Sequence, residues 1–301
     1  MKIPDSRPSG LMERDQTLRS FGYQWTHCAD WSMSGEAHTR AIQWILDKYG
    51  WKTEAGLVEA LQGRRRILDV GCGQGRELLL FRRVNPTAMM VGLEPSEAVQ
   101  VARGTLAMED RVSLVQGNLF EVPLKEASFD FIFANGVLHH TRSTREALAH
   151  CRRLLCAGGE VAAYIYRKKA PIREYADDYL RSLISRMEPE EAWEACRGLT
   201  ELGQQLSELN AEITLRSGVP ALGIRPGRHS VQRLLYVTML KMFWDPARGF
   251  EGSTLVNFDW YHPAYAWRHT AEEIKQWCGD LKLTIARLEE DEYGLTVRAF
   301  A

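Results

Sequence analysis

The sequence predicts an α/β fold. Its expected form is a doubly wound, mostly parallel seven-stranded sheet with an N-terminal helical lid and a largely helical insertion after the fifth strand. Three observations carry this reading. Residues 64–166 alternate short apolar runs with helical stretches. The first apolar run ends in a glycine-rich turn, Gly71-Cys72-Gly73-Gln74-Gly75. None of the nine tryptophans lies between Arg64 and Tyr166, so the largest aromatic side chains belong to the flanking segments.

Residues 1–63 begin polar and then carry Phe21, Tyr23, Trp25 and Trp31; Ala41, Ile42, Ile45, Leu46 and Tyr49 follow at helical spacing. This segment is read as the lid. Residues 64–166 hold five runs: Arg66–Val70, Met89–Glu94, Val112–Gln116, Phe129–Ala134 and Glu160–Tyr166. They are rich in Val, Ile, Leu and Phe and bounded by Gly, Asn, Asp or Pro, as strands buried on both faces are. Helical stretches Gly75–Arg83, Ser96–Met108 and Thr144–Leu155 lie between them. Such βαβ units close right-handed into an open sheet.

Residues 167–268 break the rhythm and are read as a substrate cap. Helices are expected over Arg173–Arg186, over Glu190–Leu215 and over a largely buried His229–Trp244, followed by a loop ending in Asn257–His269. In Glu190–Leu215 the residues Trp193, Cys196, Leu199, Leu202, Leu206, Leu209 and Ile213 form one apolar stripe, which needs a partner surface. That stripe allows a homo-oligomer. Residues 269–301 complete the core with a helix, Ala271–Cys278, and two strands, Thr284–Leu288 and Leu295–Phe300.

The chain has 301 residues, with 38 Lys+Arg against 39 Asp+Glu and a formal net charge of -1. That balance gives no basic footprint for nucleic acid. No apolar run is long enough to span a bilayer, and residues 1–16 lack the apolar core of a secretory signal. The six cysteines are scattered without a C-x-x-C, so no metal site is expected and they read as reduced thiols of a cytoplasmic protein.

The chemistry starts where the first strand ends. Glycines allow positive φ and close approach of backbone to a ligand. In open α/β sheets the ligand lies beyond the carboxyl ends of the strands. A dinucleotide turn needs its third glycine at position 76; Arg76 stands there and the glycine is Gly75, so a nicotinamide-dependent oxidoreductase is the weaker alternative. Asp69-x-Gly71-Cys72-Gly73-x-Gly75 instead resembles the first motif of class I S-adenosylmethionine (SAM)-dependent methyltransferases. The later motifs follow in order: Glu94-Pro95 ends the second strand, Gly117-Asn118-Leu119 follows the third, and Phe129 to His140 resembles the fourth with its Leu-His-His ending. Arg153-Leu154-Leu155 before Gly158-Gly159 resembles the turn into the fifth. The resemblance is dense over 64–166 and loose over 270–301.

The resemblance implies SAM as cofactor, held by Asp69, Gly71, Cys72, Gly73 and Gly75, by Glu94 and Pro95 at the ribose, by Asn118 and Leu119 at the adenine, and by Asn135. Asn118 stands where the family usually has Asp, and its carbonyl oxygen can accept the same hydrogen bond. Phe21-Gly22-Tyr23-Gln24-Trp25 is similar to an N-terminal lid element, which adds Tyr23, Gln24 and Trp25. Neither an Asn-Pro-Pro-Tyr motif nor a Pro-Cys nucleophile follows the fourth strand, so a small-molecule acceptor, methylated at O or N, is expected.

The acceptor site is read from the aromatic segments. Phe258, Trp260, Tyr261, Tyr265 and Trp267 crowd ten residues, and aromatic walls with polar tips suit a small-molecule chamber. Tyr166, Arg167, Trp260, Tyr261, Tyr265 and Trp267 are the expected substrate contacts. Arg167, Lys168 or Lys169 would meet a carboxylate or phosphate. A hydroxyl acceptor needs a base, for which His139, His140, Tyr261, Tyr265 and His269 are the candidates. His269-Thr270 also reads as a helix start, with Thr270 the N-cap and Glu273 closing a capping box. A catalytically silent SAM-binding scaffold, docking a partner through Glu190–Leu215, is the other alternative.

Overall fold

In the computed structural model, which describes residues 10–28 and 33–301, the five apolar runs form the parallel strands β1 (Arg66–Val70), β2 (Met89–Glu94), β3 (Val112–Gln116), β4 (Phe129–Asn135) and β5 (Leu155–Tyr166). Trp31 lies outside the described residues. The two C-terminal strands β8 (Thr284–Glu290) and β9 (Gly294–Phe300) complete a seven-stranded sheet of order β3-β2-β1-β4-β5-β9-β8, in which β9 runs antiparallel to β5. Strand order reverses between β1 and β4, and a crevice for a ligand opens at such a switch point.

Alternation along the strands fills both faces of the sheet. Ile67, Phe131 and Phe133 point to one side, where they pack with residues of α2 (Gly35–Lys48), α3 (Glu54–Leu61) and α4 (Arg76–Val84). Leu68, Val70, Ile132 and Ala134 point to the other, toward α6 (Thr144–Leu154) and α11 (Ala271–Asp280). The helix α5 (Ala98–Thr105) follows β2, and the capping box expected at Thr270 and Glu273 is present at the start of α11. Helix α1 (Gly10–His27) crosses the carboxyl ends of the strands.

The insertion holds α7 (Pro171–Ile184), α8 (Pro189–Glu208), a hairpin of β6 (Glu212–Leu215) and β7 (Gly227–Ser230), α9 (Val231–Thr238) and α10 (Gly249–Tyr261). Three sequence expectations are corrected here. The long amphipathic helix stops at Glu208: Asn210 takes a positive φ of 48°, and the chain reverses into the hairpin, leaving Leu209 exposed. The helix expected over His229–Trp244 is real only from Val231 to Thr238. Beyond it the buried backbone donors are met by side chains, Lys241 N–H by Asp177 and Phe243 N–H by Asn257. The loop expected before Asn257 is helix α10. Its buried residues, from Gly252 to Tyr261, surround the helix axis, so no polar stripe betrayed the helical period.

Helix α8 lays its stripe on α10, with Thr200 Oγ1 hydrogen-bonded to Thr254 and Asn257. Trp193 and Cys196 are buried there. The face read as free for an oligomer or scaffold partner is therefore covered by the chain itself at Trp193 and Cys196, whereas Leu202, Leu209 and Ile213 stay exposed. The insertion is pinned by Asp177, which is fully buried. Its Oδ2 accepts from Arg173 Nε (2.6 Å) and Trp260 Nε1 (2.9 Å); its Oδ1 accepts from Tyr261 Oη (2.7 Å) and Lys241 N (3.0 Å). Removing one partner of a buried ion pair leaves the other charge uncompensated. Asp177→Ala should therefore lower the unfolding free energy by about 3–5 kcal/mol in urea titrations; a loss under about 1 kcal/mol, the scale of an exposed pair, would count against this role.

Candidate active site

A cavity of about 950 Å³ lies beyond the carboxyl ends of β1, β2, β4 and β5, walled by α1 and by residues of the insertion. Sheet order gives it two ends. Toward β1 and β2 it is acidic, with Asp69, Glu77 and Glu94 beside the glycine turn; toward β5 it is aromatic and basic, with Tyr164, Tyr166, Tyr236, Trp260, Lys169, Arg173 and Lys241.

The turn needs its glycines for different reasons. Gly71 has φ +68°, and a Cβ there would lie 2.5 Å from a methyl of Val137. Gly73, at φ +51°, faces the Trp25 indole on the cavity wall, and its N–H donates to Glu94 Oε2 (3.0 Å). Gly75 does not line the cavity. It starts α4 in the left-handed region, where a Cβ would meet Leu106 at 2.7 Å, so its role is packing rather than the cofactor contact expected of it. Cys72 lines the cavity, but burial pushes its thiol far above the usual range, which leaves it inert.

Two buried acceptors at the acidic end, Asp69 Oδ2 and Gln24 Oε1, have no hydrogen-bond partner among the described residues. Burial, with Glu77 and Glu94 nearby, holds the Asp69 carboxyl well above the usual carboxylate range. The site thus presents two buried acceptor oxygens that lack a partner among the described residues. Glu94 Oε1 accepts from Ser96 N–H (2.9 Å) and Oγ (2.6 Å). Burial raises its carboxyl, and these bonds pull the other way. Pro95 and Leu119 line the same wall. Asn118 Oδ1 accepts Phe120 N–H at 3.0 Å, which leaves it one lone pair, and Asn135 Oδ1 accepts from Tyr49 Oη at 3.1 Å.

The base candidates separate. His140 lies on the cavity wall, its Nδ1 2.7 Å from the Tyr265 carbonyl. That contact assigns the proton to Nδ1 and leaves Nε2 as a lone pair. Nε2 is buried without a partner among the described residues, and burial lowers the ring's pKa. Tyr265 also lines the cavity. His139 does not; it is sealed behind, 3.9 Å from the Tyr166 ring centroid. Tyr261 lies behind Trp260 with its hydroxyl committed to Asp177, and His269 is turned away, with Nε2 2.8 Å from Thr144 Oγ1.

Of the expected substrate contacts, Tyr166 and Trp260 line the chamber, and the Tyr166 hydroxyl donates to Asp259. Arg167 turns instead to Asp291 and Glu290, and Trp267 Nε1 donates to the Thr141 carbonyl, both off the cavity wall. Tyr23 likewise packs on His27, Trp193 and Phe258 rather than facing the cavity. Sequence reasoning missed Arg173, Lys241, Asp259, Tyr164 and Tyr236. They come from separate elements and share no local spacing; the only hint was the charge within otherwise apolar stretches such as Leu240 to Trp244.

Residues 68–163 match the family model described as a methyltransferase domain. The chain is 34% identical over 122 residues to the tRNA U34 carboxymethyltransferase of Alcanivorax borkumensis, covering 40% of this chain and 37% of that protein. It is 27% identical over 157 residues to an uncharacterized methyltransferase of Schizosaccharomyces pombe, covering 46% of this chain and 55% of the other. The chain thus spans from about a third to about half of the length of these relatives. Among solved structures it is similar to the 1,6-didemethyltoxoflavin-N1-methyltransferase of Burkholderia thailandensis at a TM-score of 0.47, with 16% identity and coverage of 100% and 92%.

Burial lowers the His139 pKa well below the ordinary imidazole value, so the folded state keeps it neutral while the unfolded chain takes a proton below about pH 6.5. Stability should therefore fall as pH drops through that value. His139→Phe keeps a ring against Tyr166 and removes two unpaired nitrogens. It should make the fall in Tm between about pH 7.5 and 5.5 shallower in calorimetry; an unchanged slope would assign the decline to other groups.

Proposed function

We propose that this chain, whose residues 68–163 match a methyltransferase-domain model, is a class I enzyme that transfers a methyl group from SAM to an oxygen or nitrogen of a small molecule. The observation that carries the reading is the pair of buried, unpartnered acceptors, Asp69 Oδ2 and Gln24 Oε1, beside the glycine turn. They fit a cationic, donor-rich group such as the ammonium of the methionine moiety. Glu94 keeps lone pairs for the ribose hydroxyls, and Asn118 keeps one for the adenine amine.

SAM supplies a methyl group already activated on a sulfonium, so the protein's work is positioning and exclusion of water. Helix α1 and the insertion wall off the strand ends for that purpose. His140 is the candidate for taking a proton from a hydroxyl or protonated amine acceptor: it lines the cavity, its Nδ1–H is anchored on the Tyr265 carbonyl, and its Nε2 has no partner among the described residues. Its lowered pKa keeps Nε2 unprotonated at neutral pH.

A concave, aromatic-lined cavity and a net charge of -1 favour a small acceptor over tRNA, the substrate named for several relatives. The scaffold alternative is weakened because α10 covers the N-terminal part of the apolar stripe of α8, around Trp193 and Cys196. The missing third glycine still argues against a nicotinamide cofactor.

Calorimetric titration with SAM should give saturable binding, and Glu94→Ala should weaken it by about 1–3 kcal/mol. No binding to the unaltered protein would overturn the reading. With a panel of small hydroxyl and amine compounds set against bulk tRNA, methyl transfer is expected to the small compounds. Transfer to tRNA alone would replace the proposed acceptor class. His140→Gln should lower kcat by about 10²–10⁴ while SAM affinity holds.

A further inference from the structure

We infer that the small-molecule acceptor carries an anionic group, a carboxylate or phosphate, seated against Lys169, Arg173 and Lys241 at the β5 end of the cavity. That this anion belongs to the methyl acceptor rests on the methyl-transfer reading; the anion site itself does not.

Lys241 is 5% exposed, and its ammonium lies on the cavity wall 4.4 Å from the Trp260 ring centroid. Among the described residues, no carboxylate or carbonyl pairs with its Nζ. Among the described residues, Lys169 Nζ donates to the backbone carbonyls of Glu292 and Tyr293 and to no carboxylate. Arg173 is 1% exposed, with Nε on Asp177 and Nη1 on the Tyr236 carbonyl. All three line the cavity, and with Arg181 and Arg268 they put five cations within 6.0 Å of the Trp260 ring centroid.

The nearby anions do not balance this. Asp177 lies behind the wall and is saturated by four donors. Glu174 and Asp178 serve Arg268. Asp245 lies beside Arg248, 3.7 Å away. That leaves Asp259, which already takes the Tyr166 hydroxyl, as the one carboxylate on the wall facing three cations. Burial, with the neighbouring Arg173 and Lys241, pushes Lys169 down to about 6, and burial pushes Lys241 down to about 7 against the pull of Asp259. A buried cation without a partner is costly, and a bound anion would supply what the protein withholds.

The position fits an acceptor rather than the cofactor. The cofactor's cationic end is matched by Asp69 and Gln24 next to β1, whereas the three cations lie across β4, next to β5, α7 and α10. His140 and the Asn135–Val137 turn lie between the two ends. An anion held on the cations would therefore anchor a molecule whose other end reaches His140.

The test titrates the full chain, with and without saturating S-adenosylhomocysteine, with inorganic phosphate and separately with benzoate, following heat and tryptophan fluorescence. Binding of phosphate, benzoate or both is expected. Phosphate alone would mark a phosphate ester, and benzoate alone a carboxylate. Lys241→Met should weaken anion binding about 10- to 100-fold, the cost of a lost charged hydrogen bond, with S-adenosylhomocysteine affinity unchanged. Lys241→Arg should restore it, and the surface variant Lys275→Met should not alter it. Failure of both anions to bind, or equal binding by Lys241→Met, would overturn the inference. Anion binding in a chain that does not bind S-adenosylhomocysteine would keep the site and overturn its assignment to a methyl acceptor.

Discussion

Four donors converge on the Asp177 carboxylate, and the acceptor half of the cavity depends on that convergence. Arg173, Trp260, Tyr261 and the backbone of Lys241 belong to α7, α10 and the extended segment after α9. Arg173 Nη1 on the Tyr236 carbonyl and Tyr261 Oη on the Lys241 carbonyl join the same elements beside it. A buried carboxylate must be fully paired to be tolerated, so the requirement acts as a locator. It orients the Trp260 indole into the cavity and holds Tyr261 behind it. It also fixes the chain at Lys241 so that the side chain projects to the wall.

The cavity is polarised along the sheet. The β1 and β2 ends supply carboxylates and unpaired acceptors, while the region beyond β5 supplies cations and rings. Both halves hold a buried ionisable group without a hydrogen-bond partner among the described residues, Asp69 Oδ2 on one side and Lys241 Nζ on the other. Such arrangements cost stability in the empty protein and are characteristic of sites that complete their pairing with a ligand. His140 lies between them, its tautomer set by one carbonyl.

The parallel strands were legible because strands buried on both faces read as apolar runs: Arg66–Val70, Met89–Glu94 and Val112–Gln116 appear with the expected bounds. The glycine turn was legible because positive φ restricts residue type within a few positions. Helix α10 was not legible, since a helix buried all round has no polar stripe. Nor was the end of α8, where Leu209 and Ile213 continued the spacing into a hairpin. Tyr261, His139 and His269 had the right chemistry for a base but are turned from the cavity or committed to structural contacts. Residue type shows what a side chain can do, while its direction depends on what packs against it.

The sequence by itself determined the sheet, its glycine turn and the carboxylates beyond β1 and β2, because these depend on spacing within a strand, a turn and a helix start. Only the tertiary structure decided which of two adjacent histidines reaches the cavity and which cations face it. Lys169, Arg173 and Lys241 are up to 72 positions apart and meet through helix packing around Asp177. No local pattern encodes that meeting, because long-range burial of one carboxylate, rather than neighbourhood in the chain, brings them together.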